Sequence, residues 1–290
     1  MASASTSNSG SNEQTPEAIA LKAAVFQRLH PRVYLERFVA EGIRPDGRQI
    51  SAWRDVSVNV GSISTADGSA LVRIGDTTVV CGVKAELAEP ELDAPTRGFL
   101  VPNLDLPAIC SPKFKPGPPT EEAQVFSDRL HEALTSTGTI SLEDLCIQPG
   151  KAAWVLFVDA TCINYDGNVF DATLLAMIAA LKNVTLPKAT FDEDTGRTVC
   201  TRKESAPLNL KCLPISFTFG IFDGKHIFPD PTFFEEPLLD TAVSVVLKED
   251  GTISSVSQVG ADAVEQDALS RCIVEAKARH QLLLSKTIYP

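Results

Sequence analysis

Residues 69–87 read SALVRIGDTTVVCGVKAEL, and this pattern sets the first constraint on the fold. Leu71, Val72 and Ile74 come before Gly75-Asp76; Thr77, Val79, Val80, Cys81 and Val83 come after it. Apolar and β-branched residues on both sides of a turn-forming pair predict an antiparallel hairpin. Upstream, Val56, Val58 and Val60 alternate with polar neighbours, which predicts a half-buried strand. Downstream, residues 152–158 (AAWVLFV) form a continuous apolar run suited to a buried strand. Asp166-Gly167-Asn168 then supplies a turn, and residues 169–184 predict a buried helix.

Between these elements, residues 88–119 hold eight prolines, from Pro90 to Pro119, and read as a long connection. Thr120 is the expected N-cap of a helix reaching about Ser136, with Glu121 and Glu122 in its first turn. Residues 186–206 are polar and read as loop. Further strands are expected near 213–221, 241–247 and 253–259, the last two joined by Glu249-Asp250-Gly251-Thr252. Asp262 and Glu265 form a capping-box pair for a closing helix that runs to about Ser285. At the other end, Thr15-Pro16-Glu17 opens a helix to about Arg28, and Pro31 starts a second that Gly42 ends. Residues 1–14 are Ser/Asn-rich and read as a disordered tail. The order of elements is mixed, which fits an α+β class better than regular strand–helix alternation. The chain divides into a tail (1–14), N-terminal helices (15–42), a first half (43–185) and a second half (186–290) ending in the long helix.

Charge limits the function. Lys and Arg number 26 against 37 Asp and Glu, for a net charge of −11. Nucleic-acid binding is driven by cations displacing counterions, so a chain this acidic needs a local basic patch or basic partners to hold RNA. The longest strictly apolar run is residues 174–181 (LLAMIAAL), far short of the roughly 20 residues a membrane span needs. The opening MASASTSNSGSNEQT has neither a basic nor an apolar region, so no secretory signal is expected. Seven scattered cysteines without a CxxC predict reduced thiols and no zinc site. There is no GxxxxGK[ST], GxGxxG, HExxH or GxSxG, so nucleotide-loop, dinucleotide, zinc-protease and serine-hydrolase readings lack their minimal parts.

Two clusters remain. Asp230, Glu235, Glu236 and Asp240 lie within DPTFFEEPLLD. Such carboxylates could hold Mg²⁺, and the alternative, which is the one expected, is an acidic surface turn. Lys113 and Lys115 (SPKFKPGPP), with Arg197, Arg202 and Lys203, fit either a phosphate-tracking surface or ordinary solvated loops. Trp53, Trp154 and Phe170 read as packing residues, and Asp46 with Arg48 as a structural ion pair.

Several stretches, in order, resemble the RNase PH family. They are Arg44-Pro45-Asp46-Gly47-Arg48; Gly61 to Ala70 (GSISTADGSA) followed by Gly75-Asp76-Thr77-Thr78-Val79; Gly117-Pro118-Pro119; Tyr165-Asp166-Gly167; and Asp230-Pro231-Thr232 with Glu235-Glu236. The similarity runs from about residue 32 to 285 and matches the branch found in exosome rings. It implies an RNase PH fold, ribosomal protein S5 domain 2-like, with mixed sheets and packed helices. It also implies a six-subunit ring with other RNase PH-like chains, S1/KH cap subunits that bind RNA, and RNA threaded through the channel. Nucleus, nucleolus and cytoplasm are the expected locations. Active members let phosphate attack the RNA 3′ end, using a backbone nest and arginines. Here the run Asp166-Gly167-Asn168-Val169-Phe170 places Val169 at the hydroxyl position and Phe170 at an arginine position. An ungapped alignment places two further arginine positions at Glu132 and Thr135. Of two metal-site aspartates, the first falls on Phe234 and the second on Asp240, with Glu235 or Glu236 as substitutes if the register slips. The resemblance therefore implies a non-catalytic subunit supporting 3′-to-5′ RNA processing, with no catalytic residue, cofactor or metal. Lys113 and Lys115 are its candidate RNA contacts. The alternatives are an active phosphate-dependent 3′-exoribonuclease completed by a neighbouring subunit, and a small-molecule kinase on a related fold, which would need a Gly-rich phosphate loop.

Overall fold

The computed structural model describes residues 16–192 and 195–285, so the tail expected over residues 1–14 lies outside it. The chain divides into two compact units after Ile50.

The first unit holds α1 (Pro16–Leu29) and α2 (Pro31–Ala40). Pro31 opens α2, where a missing N–H costs nothing. The ring of Phe26 on α1 meets those of His30 and Tyr34 at centroid distances of 5.6 and 6.4 Å. In the turn that follows, the Asp46 carboxylate accepts from the Arg48 backbone N–H at 2.9 Å and from its Nε at 2.6 Å, the ion pair expected from the sequence. Burial raises the affinity of Asp46 for a proton, but the Arg48 bonds outweigh it and hold the carboxyl below its ordinary range.

The second unit is built on two sheets. β1 (Val56–Val60), β2 (Gly68–Ile74) and β3 (Thr77–Ala88) are antiparallel neighbours, and Gly75-Asp76 makes the expected hairpin between β2 and β3. β4 (Phe99–Asp105) lies at the far edge, parallel to β6 (Ala152–Asn164), which in turn pairs with β3 and with the short β5 (Cys146–Gln148). β4 corrects the reading of residues 88–119 as connection only. Pro102 hides the strand in the sequence, yet an edge strand tolerates a residue that donates no ladder bond. α3 (Glu121–Ser136) follows, and the Thr120 hydroxyl accepts from the Ala123 N–H at 3.3 Å as its cap.

α4 (Val169–Lys182) is buried at every position from Val169 to Leu181. It packs on β2 and β3 on one side and on β9 (Ile215–Phe222) on the other. β9 belongs to the second sheet, ordered β10 (His226–Pro229), β9, β11 (Thr241–Leu247), β12 (Ile253–Gly260). From Ile215 to Ile221 it alternates large apolar with small residues, and both of its faces are covered. Ile215, Phe217, Phe219 and Ile221 join the core with Cys272, Ala276 and Leu283 of α5 (Gln266–Ser285), while Thr218 points to α4 and bonds its Asp171. Phe217 and Phe219 are 2% and 0% exposed, and burial of each contributes roughly 1.5–3 kcal/mol. Gly68 marks a second close approach: a Cβ there would lie 2.5 Å from Val184 Cγ2 and 2.6 Å from the Ala180 carbonyl oxygen.

Two further expectations change. The loop expected over residues 186–206 is a two-stranded ribbon, β7 (Thr185–Asp192) with β8 (Arg197–Pro207). Pro187 and the bulge beside it leave β7 only a short alternating run, and polar residues along much of β8 mask the period of two. The closing helix starts at Gln266, so Asp262 does not cap it; the Asp262 carbonyl instead accepts from the Thr241 hydroxyl at 2.8 Å.

On α5, His280 is 2% exposed, edge-on to Phe217 at 6.3 Å, with no hydrogen-bond partner for Nε2. Burial holds its pKa below the ordinary 6.5. As pH falls through that value the unfolded chain takes up a proton that the folded chain refuses, so this site's contribution to stability declines. Denaturant melts are expected to show a loss of up to ~1.4 kcal/mol per pH unit below about pH 6.5 from this one site. His280→Leu should flatten that slope; an identical slope in the variant would contradict the assignment.

Candidate functional site

The turn between β6 and α4 is tightly constrained. Gly167 and Asn168 take consecutive left-handed conformations, with φ of 78° and 53°. A side chain at Gly167 could not fit, since its Cβ would lie 2.5 Å from the Thr232 carbonyl carbon and 2.6 Å from the Phe233 nitrogen. The loop carrying Asp230 to Glu236 therefore rests directly on this turn.

Arg54 ties the two together. Its Nε and Nη2 donate to the Asp230 carboxylate at 2.7 Å each, a bidentate pair. Its Nη1 donates to the Asp166 carbonyl at 2.7 Å, and Nη2 to the Gly167 carbonyl at 3.3 Å. The Thr77 hydroxyl also donates to the Gly167 carbonyl at 2.7 Å. Burial works against the guanidinium charge, but Asp230 outweighs it and holds Arg54 above its ordinary pKa. Asn168 extends the network: Nδ2 donates to Asp230 Oδ1 at 2.7 Å and Asp171 Oδ2 at 2.9 Å. Asp171 also accepts from the Thr218 N–H at 2.7 Å and hydroxyl at 2.8 Å. Burial pushes the Asp171 carboxyl up despite these bonds.

Beside the turn lies a cavity of about 440 Å³. Phe126, Phe170, Phe233, Leu239 and Val259 give it apolar walls, and Lys113, Glu122, Arg129 and Glu236 supply its charges. All four charges have protein partners. Arg129 donates to the Ser244 and Ser257 hydroxyls at 3.1 and 3.0 Å and lies over the Phe170 ring at 4.3 Å. Burial lowers its pKa from the ordinary arginine value. Lys113 pairs with Glu122 at 2.7 Å. Glu236 accepts from the Asn168 backbone N–H at 2.7 Å and from the Tyr165 hydroxyl at 2.6 Å.

The comparisons with known proteins place this architecture. Residues 52–187 match the profile of the 3′ exoribonuclease family, domain 1, and residues 212–279 match that of domain 2. The exosome complex component rrp43 of Schizosaccharomyces pombe is 41% identical over 256 residues, 88% of this chain and 94% of the relative. This chain belongs to the 3′ exoribonuclease, or RNase PH, family. The exosome complex component Rrp42 of Thermococcus gammatolerans is 39% identical over 75% of this chain and 79% of that protein. Among solved structures, a chain of the Archaeoglobus fulgidus exosome with RNA bound to the active site superposes with a TM-score of 0.79. That chain is 28% identical, covering 92% of this chain and 99% of its own length. The α+β, RNase PH fold expected from the sequence is the one observed.

Within this RNase PH chain, the residues singled out from sequence separate. Asn168, Val169 and Phe170 line the cavity, and Lys113 stands at it. Lys115 is exposed and not part of the lining. Glu132 and Thr135 are exposed on α3, and neither faces this cavity; Thr135 lines a second one of about 380 Å³ with Arg97, His131 and Lys211. The α3 residues that face the first cavity are Glu122, Phe126 and Arg129. Their spacing of four and three residues puts them on one helical face, and that spacing was the available signal for Arg129. The side chains of Arg202 and Lys203 lie outside the described residues.

The acidic cluster is not the surface turn expected. Asp230 and Glu235 are 1% and 0% exposed. Glu235 accepts from the Thr232 N–H at 2.8 Å and hydroxyl at 3.0 Å, while Asp240 accepts from the Asp223 N–H at 2.6 Å. The four carboxylates thus face separate donors, and Phe234 offers no ligand. Among the described residues no group of three or more His, Cys, Asp or Glu converges on a common point. This donor set does not fit a divalent cation at Phe234 and Asp240.

Removing one partner of a buried pair strands the other charge. Arg54→Met is expected to cost about 3–5 kcal/mol in urea denaturation, and adding Asp230→Leu should recover part of that loss. An Arg54→Met chain as stable as the wild type would contradict the role given to this pair.

Proposed function

We propose that this chain is a non-catalytic ring subunit of the RNA exosome, supporting 3′-to-5′ RNA processing and degradation as a structural member. The observation that carries this reading is the start of α4. Phosphorolysis depends on donors and cations that neutralise a phosphate. There the cavity presents the apolar Val169 and Phe170 and the carboxylate of Glu236, and its one arginine is engaged by Ser244, Ser257 and the Phe170 ring. Losing a single oxyanion donor typically costs about 10²–10³ in rate. The exosome names of the relatives support the assembly: other RNase PH-like ring subunits, S1/KH cap subunits, and RNA in the central channel. Lys115, exposed, and Lys113, beside the cavity, are the candidate RNA contacts. Work in nucleus, nucleolus and cytoplasm follows from membership in that assembly. One observation favours a second reading: Arg129 leaves a cation at the cavity, so the chain could lend a contact to a site completed by a neighbour.

The test is the native mass and composition of the complex purified with the tagged chain from its own cells. A hetero-oligomer of RNase PH-like chains with RNA-binding cap proteins is expected. A homo-oligomer of this chain alone would overturn the reading.

A further inference from the structure

We propose that Glu236 is a built-in anion that occupies the oxyanion position at the N-terminus of α4 and makes the adjoining cavity reject phosphate-class ligands. Helix N-termini preceded by turns with outward-facing N–H groups attract anions through unpaired donors and the helix dipole. Gly167 and Asn168 form such a turn, with successive φ of 78° and 53°. The Asn168 side chain does not cap the helix: Nδ2 is held by Asp230 and Asp171, and Oδ1 takes no hydrogen bond. An anion does sit there, and it belongs to the protein. Glu236 Oε1 takes the Asn168 N–H at 2.7 Å, and Oε2 takes the Tyr165 hydroxyl at 2.6 Å. Burial pushes the Glu236 carboxyl above its ordinary range, and the Tyr165 and Asn168 bonds, with the nearby Lys113 ammonium, act against that push.

The position is fixed from both sides. Glu236 begins a single 3-10 turn, Glu236–Leu238, and the Glu235 side chain is locked onto Thr232 just before it. An entering phosphate would need the donors that Glu236 already holds and would meet its charge at contact distance. The exclusion is thus active: a charge is present, beyond the absence of arginines. Wall residues such as Phe126, Phe170 and Leu239 leave the rest of the cavity open to neutral or cationic groups. This inference rests on the cavity alone and stands whether or not the chain sits in a ring.

The experiment titrates inorganic phosphate into the full chain, with chloride at matched ionic strength as control, and follows the amide resonances of Asn168 and Val169. Glu236→Ala frees both donors and is expected to bind phosphate at least tenfold more tightly than the wild type, with shifts centred on Asn168. Glu236→Gln accepts from the Asn168 N–H through its carbonyl oxygen and donates from Nε2 to the Tyr165 oxygen, reversing that bond while removing the charge, so it remains a folded probe if the alanine variant does not fold. It is expected to fall between the two. The proposal is overturned if no folded variant binds phosphate more tightly than the wild type, or if the wild type itself shows saturable shifts at Asn168.

Discussion

The buried pair of Arg54 and Asp230 is the constraint on which the second unit depends. Arg54 precedes the first strand of one sheet, and Asp230 follows a strand of the other. Their bidentate contact, with the further bonds of Arg54 to Asp166 and Gly167, fixes the turn from which α4 starts. α4 in turn packs on both sheets. A buried guanidinium and carboxylate each cost several kcal/mol to desolvate, and only complete hydrogen bonding offsets that cost. The network meets the requirement by recruiting Thr77 and Asn168. What the pair specifies is one arrangement of the strand–turn–helix, since few other packings would satisfy so many buried donors and acceptors.

That same saturation shapes the chemistry beside it. Phosphate chemistry needs donors that wait for a ligand, held in place but unpaired. In this cavity Arg129 is held by two serine hydroxyls and a phenyl ring, Lys113 by Glu122, and the Asn168 amide by Glu236. The chain keeps the family's fold, while the cations of the cavity and the Asn168 backbone N–H are bonded within the protein.

Much of the fold was legible because local and long-range signals agreed. The Gly75-Asp76 hairpin, the Thr120 cap and the apolar run of α4 each combine a turn or cap residue with the right hydrophobic period. The failures came where packing overrides pattern. β4 carries Pro102, which argues against a strand unless the strand lies at an edge, and edge position is a property of the sheet. β7 alternates only over Lys188–Asp192, after Pro187 and the bulge beside it, and β8 is polar over much of its length, so the ribbon reads as loop. In the site, Phe170 and Asn168 were found because the turn ahead of them is a sequence motif. Arg54 was not, because its partner lies 176 residues away. Arg129 is not legible from the sequence, because a count along the chain cannot tell which face of α3 meets the cavity. The carboxylates of Asp230 and Glu235 looked like a solvated cluster because burial of a charge depends on partners distant in the chain.

The proposal that this RNase PH chain carries no phosphorolytic activity of its own is tested most directly by incubating the purified chain with single-stranded RNA, inorganic phosphate and Mg²⁺ and measuring nucleoside diphosphates. The expected result is no phosphate-dependent release above a protein-free control. Sustained release that scales with chain concentration would contradict it.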